Sequence, residues 1–446
     1  MNNKRKTKGA AIACIIAAGA MQITSASPGA ETNMDFSAGA DLRLRYDGTD
    51  NLPTSSRGES KASDYGRFRF RGWMKAAYGD SSLYLRLADE FRAYRAPDSN
   101  SRKQRWPDVL FIDSMYFEET GLFGTIDLKI GRQDMSFGAK RLISDGTGGD
   151  GSRSAFFDGV RATWHADGKR TLDAFGVYQT ADDWLPTLGR THANNKKPHD
   201  YDLNGFKQDE FGIGLYWQDR NEADFGYDLY YVAKGERRGH KSRYRSEGRL
   251  SDTHTVGFRL LPRFTKTLSG ELELAGQTGS DVKLAGQGYA GVTWEPSLAA
   301  KPYLTGACWI LSGDADGERG EHAWHAVFNR ETGLGESIAP MYSKYSYTNL
   351  VYPHVAAGCK IGDFSKLKAQ TGPLFTAVKE DDADGSYRGL YAQLKYEISP
   401  AKLLGFDILK GGKISFQVEC FDKGDWFNDG ADHTAIFGRM ELAWKF

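Results

Sequence analysis

The sequence contains few cysteines, and their number argues against a fold held together by disulfides. Only 4 occur in 446 residues, namely Cys14, Cys308, Cys359 and Cys420. Cys14 lies in an apolar N-terminal stretch, so an odd number remains for the rest of the chain. We expect free thiols within strands, with a bridge between Cys308 and Cys359 on neighbouring strands as the alternative.

The sequence also lacks an excess of charge of either sign. Its 58 Lys and Arg residues match its 58 Asp and Glu residues, so the balance does not indicate a nucleic-acid partner. Beyond the N-terminal stretch, no apolar run approaches the roughly 20 residues that a membrane-spanning helix needs. The chain has no linker rich in proline or serine, no low-complexity tract and no long amphipathic helix, which argues against a second domain.

The N-terminus has the three regions of a secretory signal peptide. Four basic residues precede an apolar stretch at 10–21, and the small residues Thr24, Ser25 and Ala26 offer a cleavage site. We predict a signal peptide over residues 1–26 and a single barrel domain over 27–446. Removing those four basic residues from 58 leaves 54 against 58 acidic residues, a net charge of about −4 for the mature chain.

The rest of the chain alternates apolar and polar residues in segments of about ten. In the first segment, Phe36, Leu42 and Leu44 alternate with charged residues, and the last segment ends in Phe446. This pattern predicts an all-β fold, a transmembrane antiparallel β-barrel of the bacterial outer membrane, with an apolar face towards lipid and a polar face towards the lumen. We expect barrel-assembly machinery to bind the C-terminal strand that ends in Phe446.

Eighteen such segments lie between residues 35 and 446, an even number as in bacterial barrels, with sixteen as the alternative. Connections after even-numbered strands are tight turns such as 79–81, whereas most of those after odd-numbered strands are long and polar. With the N-terminus in the periplasm, this gives short periplasmic turns and long extracellular loops. Two connections fit less well, because 279–283 is short for an outer loop and 399–410 is long for a turn.

The polar face of the first six strands is rich in arginine. The second strand places Arg67, Arg69 and Arg71 opposite the apolar Phe68 and Phe70. The candidate pore-lining and solute-binding residues, which with one exception have inward parity, are Arg43, Arg45, Arg67, Arg69, Arg71, Arg86, Arg92, Lys129, Arg132, Arg161, Asp41, Glu90 and Glu210.

Two positions break the alternation. Arg132 has outward parity unless Gly131 forms a bulge, and Asp89 predicts a bulge or a register shift in its neighbourhood. The basic side chains as a group allow two interpretations. They form an electropositive lane for solutes that carry carboxylates, or they pair with acidic residues in ladders that fill the lumen and brace its wall.

Short motifs resemble the alginate-export family of outer-membrane porins. They are Ile-Gly-Arg-Gln at 130–133, Phe-Phe-Asp-Gly-Val-Arg at 156–161, Leu-Ser-Gly-Asp-Ala-Asp-Gly at 311–317, and an arginine-rich second strand. The resemblance implies an eighteen-stranded barrel with an arginine-lined constriction that passes an acidic polysaccharide or a smaller anionic sugar. The sequence departs from the family pattern at Asp113 and Asp134, where the resemblance implies basic residues.

Other motifs do not indicate a metal site or a catalytic site. The acidic loops 314–318 and 381–385 lack the complete spacing of a calcium-binding loop. Ser251, Asp252 and His254 lie close in sequence, but neighbouring residues of a strand face opposite sides and do not form a triad. We therefore expect no metal, no cofactor and no enzymatic activity.

The sequence as a whole predicts a passive channel in the outer membrane. Its expected partners are membrane lipid and an anionic saccharide solute of the uronate type. The long connections 133–155, 181–208 and 313–346 would fold inward as gates or caps. The alternative function is a structural or adhesive barrel whose lumen those loops plug, with no transport role.

Overall fold

The computed structural model describes most of the chain between Met34 and Phe446. The predicted signal peptide lies outside the described residues, as does most of the connection 181–208. The described residues are 34–54, 56–60, 62–94, 110–145, 156–180, 185–188, 209–237, 250–315, 321–329, 334–342, 347–427 and 434–446.

The described residues form eighteen antiparallel barrel strands, which we number β1 to β18 in chain order. Consecutive strands pair with each other, and β1 also pairs with β18, which closes the sheet. The prediction of eighteen strands is confirmed and the alternative of sixteen is wrong. Their bounds are Asp35–Asp50, Ser63–Tyr78, Ser81–Tyr94, Leu110–Leu122, Ile126–Gln133, Phe157–Asp167, Arg170–Gln179, Asp209–Asp219, Phe225–Arg237, Leu250–Pro262, Leu268–Gly279, Ala285–Trp294, Tyr303–Leu311, Leu350–Ile361, Ser365–Phe375, Tyr387–Ile398, Lys413–Lys423 and Ala435–Lys445.

Alternation within the strands separates the two faces of the wall. Outward side chains such as Met74, Leu83 and Val256 are apolar and exposed, whereas inward positions of the same strands are mostly polar. A closed sheet suits a membrane because each strand satisfies its backbone hydrogen bonds through its two neighbours, so no edge is left for lipid to cover. In the described part of the chain, no helix is long and apolar enough to cross a membrane.

The connections distinguish two ends of the barrel, which we call the short-turn end and the loop end. Gly79 and Asp80 alone join β2 to β3, and Gly79 adopts a φ of +58° that suits a tight turn. The connection 399–412, although at the short-turn end, is longer because it contains helix α1 (Pro400–Leu404) and a 3₁₀ turn (Asp407–Leu409).

The pairing of β3 with β4 contains a bulge. Its register shifts between Arg86 and Leu87, which leaves Asp113 of β4 as the extra residue. The irregularity lies near the position that the sequence predicts, but the pairing of β2 with β3 runs regularly through Asp89. Asp113 is 0% exposed and forms an ion pair with Arg86. The bulge therefore places a buried carboxylate beside this arginine.

Two long connections fold into the barrel from the loop end. Ile143–Ser144 of one pairs in parallel with Phe328–Asn329 of the other. Side chains from both, including Phe137 and Trp324, share one apolar cluster with inward wall residues such as Tyr230. The expectation that the connections 133–155 and 313–346 fold inward is confirmed for their described parts.

The cysteines of the described part are free thiols. They lie in β13, β14 and β17, as the sequence predicts. The alternative of a bridge between Cys308 and Cys359 is therefore wrong.

Candidate functional site in the barrel lumen

Six arginines of β1, β2 and β3 line one side of the lumen, and we call them the arginine wall. The strand register places Arg43 beside Arg69 and Arg45 beside Arg67. All six are buried at the inner surface, as the alternation predicts. The members are Arg43, Arg45, Arg67, Arg69, Arg71 and Arg86.

The arginine wall is held by carboxylates from its own strands and from the seam of the barrel. Arg45 donates from Nε and Nη2 to one oxygen of Glu441 in β18, at 2.9 and 2.6 Å. Arg71 Nε donates to Asp41 at 2.7 Å, and Arg69 Nη2 donates to the other oxygen of Asp41 at 3.3 Å. Such charge-assisted hydrogen bonds fix the guanidinium planes against the wall.

Glu90 and Asp47 hold the part of the arginine wall that is nearer to the loop end. Glu90 lies 3.4 Å from Arg67 and 3.9 Å from Arg43. Asp47 lies 3.9 Å from Arg67 and accepts hydrogen bonds from Arg439 of β18 at 2.7 and 3.1 Å. Arg439 also contacts Glu336 of an inward-folded connection at 3.1 Å, so the wall anchors that connection.

Arg86 joins the arginine wall to the other inward-folded connection. It contacts Asp113 in the bulge and Asp134 at 2.9 Å. Burial raises the pKa of the Asp134 carboxyl above its usual value, and the positive charge of Arg86 opposes that rise. Asp113 and Asp134, where the sequence departs from the family pattern, are both partners of a wall arginine.

Among the described side chains, the arginine wall is balanced in charge. With Arg439 it contains seven arginines, and seven carboxylates contact them. These carboxylates are Asp41, Asp47, Glu90, Asp113, Asp134, Glu336 and Glu441. The geometry therefore matches the ladder interpretation, in which the arginines brace the wall.

The other basic candidates are also ion-paired. Lys129 contacts Glu118 at 3.0 Å, and Arg161 contacts Asp173 at 2.8 Å. Glu210 contacts a lysine that the sequence analysis did not select, Lys234, at 3.2 Å. The side chain of Arg92 lies outside the described residues.

Arg132 is buried, with 2% of its surface exposed, although its parity is outward. The register of β5 continues unbroken through Gly131, but Gly131 adopts a φ of +126°. Arg132 then forms a bidentate pair with Asp158 at 2.7 and 2.9 Å and stacks 3.5 Å above the ring of Phe156. A positive φ, rather than a bulge, is the local irregularity.

Five lysines of β14 to β17 form a second basic group, which we call the lysine cluster. The alternation of the sequence alone does not reveal it. Register brings its members together at the short-turn end, where Lys368 lies beside Lys395 and Lys366 beside Lys360. The members are Lys360, Lys366, Lys368, Lys395 and Lys413.

The lysine cluster differs from the arginine wall in its partners. Lys368, Lys395 and Lys413 share one carboxylate, Glu397, at 3.5, 3.6 and 3.4 Å. Lys360 and Lys366 have no carboxylate within 4.0 Å among the described residues. The side chains of Lys368 and Lys413 remain 47% and 46% exposed, so this excess of positive charge faces water.

The wall opposite the arginines carries a third ionic group. Arg141 of an inward-folded connection contacts Glu271 and Glu273, both at 2.6 Å. Arg259 contacts Glu271 at 2.9 Å, and the hydroxyl of Tyr230 donates to Glu273 at 2.9 Å. This network holds the connection 134–156 to this wall through Arg141. On the other side of the lumen, Arg86 holds the same connection through Asp134.

No protein-family model and no curated protein sequence matches this chain. Solved structures do match. OccAB1 of Acinetobacter baumannii is 9% identical, with a TM-score of 0.58 over 96% of this chain and 99% of that one. OccK11 (OpdR) of Pseudomonas aeruginosa is 12% identical, with a TM-score of 0.56 over 92% and 96%. The outer-membrane protein OpdK of Pseudomonas aeruginosa is 11% identical, with a TM-score of 0.57 over 92% and 98%.

The chain has the fold of the Occ outer-membrane porins. Eighteen spanning strands with an apolar outer face make it a multi-pass β-barrel of the outer membrane, as the sequence predicts. At these identities the likeness extends to the fold alone. The resemblance to the alginate-export family therefore rests on the sequence motifs.

The porin-fold barrel separates the residues of the discounted triad. Ser251 faces inward and donates to Asp281 at 2.6 Å. His254 lies on the outer face, where it contacts Asp252 at 3.1 Å and Tyr231 at 2.8 Å. Within the described residues, no group of three or more His, Cys, Asp or Glu side chains is arranged to hold a metal ion.

Proposed function

We propose that the protein is a passive outer-membrane channel that favours anionic solutes, with carboxylated saccharides of the uronate type as the first class to test. The observation that carries this proposal is the lysine cluster, in which three of the five lysines share the single carboxylate of Glu397. An exposed excess of positive charge inside a low-dielectric wall concentrates anions and raises their rate of entry.

The two basic groups have different roles in this proposal. The arginine wall is buried and balanced, so it braces the lumen and anchors the inward-folded connections through Asp134 and Glu336. The lysine cluster supplies the accessible charge at the short-turn mouth, which is the periplasmic mouth in the predicted orientation. Flexible, hydrated lysines bind carboxylates weakly, and weak binding lets a solute leave as well as enter.

The second candidate function is a structural barrel with a plugged lumen. It is favoured by the inward-folded connections, which share an apolar cluster with the wall and bond to each other through Ile143–Ser144 and Phe328–Asn329. Conductance of the purified full-length protein in planar lipid bilayers separates the two functions. A barrel that inserts without conducting would support the plug and contradict the channel.

Ion selectivity tests the role of the lysine cluster. In a KCl gradient, we expect the reversal potential of the wild type to indicate preference for chloride. Substitution of Lys368, Lys395 and Lys413 by Gln should shift it towards cation preference, because Glu397 then lacks three of its neighbours.

The chain offers a matched control for this experiment. Lys266, Lys301 and Lys402 are exposed at the same end of the barrel but lie in its turns. Their substitution by Gln removes the same charge from the same end and should leave the reversal potential unchanged. Equal shifts in both triple variants, or no shift in either, would show that the lysine cluster does not select ions.

A further inference from the structure

A cavity of about 280 Å³ lies between the inner wall and the inward-folded connection 134–156. Three aromatic residues of β12, β13 and β14 line it, namely Tyr289, Trp309 and Tyr352. Arg141 of the connection and Gln370 of β15 complete much of its border. The cavity therefore combines ring surfaces with groups that form hydrogen bonds. It lies on a different side of the barrel from the arginine wall.

The aromatic part of the cavity is rigid. His354 stacks on Tyr352 with ring centroids 4.5 Å apart, and Gln370 Nε2 donates to the Tyr352 hydroxyl at 2.7 Å. Arg141 lies 3.5 Å above the ring of Tyr289. Pre-organised side chains lose little conformational entropy when a ligand binds.

One polar group of the cavity wall has no protein partner among the described residues. Trp309 is 6% exposed, and its indole Nε1–H forms no hydrogen bond. A buried donor without an acceptor costs free energy, and a hydroxyl of a ligand would remove that cost. The arrangement thus indicates a ligand rich in hydrogen-bonding oxygen.

The arginine that borders the cavity is already paired with carboxylates, which argues against a bare anion as the ligand. Lys140 and Arg141 border the cavity, and Arg141 is held by Glu271 and Glu273 at 2.6 Å each. With two carboxylates on its guanidinium, Arg141 offers little attraction for a small anion. Aromatic surfaces beside polar side chains instead suit a ring that has both apolar C–H faces and hydroxyl edges.

We propose that this cavity is a subsite for one pyranose ring of an oligosaccharide that enters the lumen. Trp309 Nε1 donates to a ring hydroxyl, and Gln370 and His354 contact neighbouring hydroxyls. This assignment rests on the proposed channel function and adds to it, because the subsite recognises the sugar ring whereas the lysine cluster recognises its carboxylate.

Solute block of the ion current tests the subsite. Trigalacturonate and maltotriose, an uncharged trisaccharide with the same α-1,4 linkage, are added to bilayers that contain the full-length protein, and the concentration for half block is measured. We expect both sugars to block the wild type. Trp309→Ala should raise the half-blocking concentration of both by about tenfold or more, as for an anchor residue in a buried pocket.

Two further variants separate the subsite from general damage and from charge. Trp164→Ala removes an exposed tryptophan of the outer face and should leave both half-blocking concentrations unchanged. The triple lysine variant should weaken block by trigalacturonate and spare block by maltotriose. This pattern assigns ring recognition and charge recognition to different residues.

The outcomes distinguish failure of the subsite from failure of the channel. Absence of any conductance contradicts the proposed function itself. Conductance with block that Trp309→Ala does not weaken overturns the subsite and leaves the channel intact. Block by benzoate that also depends on Trp309, without block by maltotriose, would assign the cavity to aromatic acids and equally overturn the sugar proposal.

Discussion

At the scale of single residues, the arginines of the arginine wall tolerate burial because their carboxylate partners are buried with them. Arg45 and Glu441 are both shielded from water, and each satisfies the other. Removing one partner of a buried pair leaves an uncompensated charge, whereas removing both avoids that penalty. The wall is therefore sensitive to single substitutions and tolerant of paired ones.

We expect Glu441→Gln to lower the free energy of unfolding by about 3 kcal/mol, because Arg45 then remains buried without its carboxylate. Urea unfolding of the barrel in detergent, followed by tryptophan fluorescence, measures this. The double variant Arg45→Gln with Glu441→Gln should recover part of the loss. A double variant less stable than Glu441→Gln would contradict the explanation.

Gly131 is the second residue whose identity the structure requires. Its φ of +126° is rare for other residues, and a Cβ there would lie 2.3 Å from the carbonyl oxygen of Met115. We expect Gly131→Ala to destabilise the barrel by about 1–3 kcal/mol in the same assay. Gly48→Ala is the control, since a Cβ at Gly48 meets nothing within 4 Å. Equal effects at both positions would remove the strain argument.

At the scale of elements, the sequence predicts the strands, but it does not predict the positions where the alternation of inward and outward side chains breaks down. An alternation of period two decides which side chains face lipid, so the eighteen strands follow from the sequence alone. Arg132 shows the limit of this rule, because its orientation depends on the φ of its neighbour. The bulge at Asp113 is a similar case, since its position depends on how β3 pairs with β4.

The lysine cluster was missed for a different reason. Its members come from four strands, and none of those strands is unusually basic when it is considered alone. Lys366 and Lys368 lie two residues apart, so their shared inward parity was a visible signal. The convergence of Lys368, Lys395 and Lys413 on Glu397 depends on the register of two strand pairs, β15 with β16 and β16 with β17. Local alternation does not determine that register.

The inward-folded connection 134–156 is held in the lumen by several contacts, and Arg141 makes one of them. Arg141 fixes it to Glu271 and Glu273 of β11. We expect Arg141→Ala to release the connection from the wall and raise single-channel conductance. Lys283→Ala removes an exposed ion pair with Glu321 at the loop end and should leave conductance unchanged. Unchanged conductance in both variants would show that the connection does not limit flow.

The C-terminal strand is the element that we expect barrel-assembly machinery to bind. Phe446 donates its backbone N–H to the carbonyl oxygen of Ala40 at 2.8 Å, and the residue remains 52% exposed. Phe446→Ala should lower the amount of heat-modifiable barrel in outer-membrane fractions, and Phe446→Trp should restore it. Equal yields of all three proteins would argue against a role for the terminal aromatic residue.

At the scale of the whole molecule, the accessible charge is placed at one end. The lysine cluster lies at the short-turn mouth, so we expect ion current to differ between the two signs of the applied voltage. The asymmetry should be large at 0.1 M KCl, where the screening length is about 10 Å, and small at 1 M, where it is about 3 Å. The triple lysine variant should conduct symmetrically at both concentrations, and persistent asymmetry would place its source elsewhere.

The seam between β1 and β18 has a consequence for the order in which the barrel matures. Arg45 and its partner Glu441 are separated by 396 positions, so the arginines of the first hairpin leave the ribosome long before that carboxylate exists. Until the final strand pairs with β1, Arg45 lacks its carboxylate partner. Contacts between such distant positions are slow to form. Closure thus gives Arg45 its carboxylate and completes the sheet in the same step, and a chain interrupted before Glu441 lacks both.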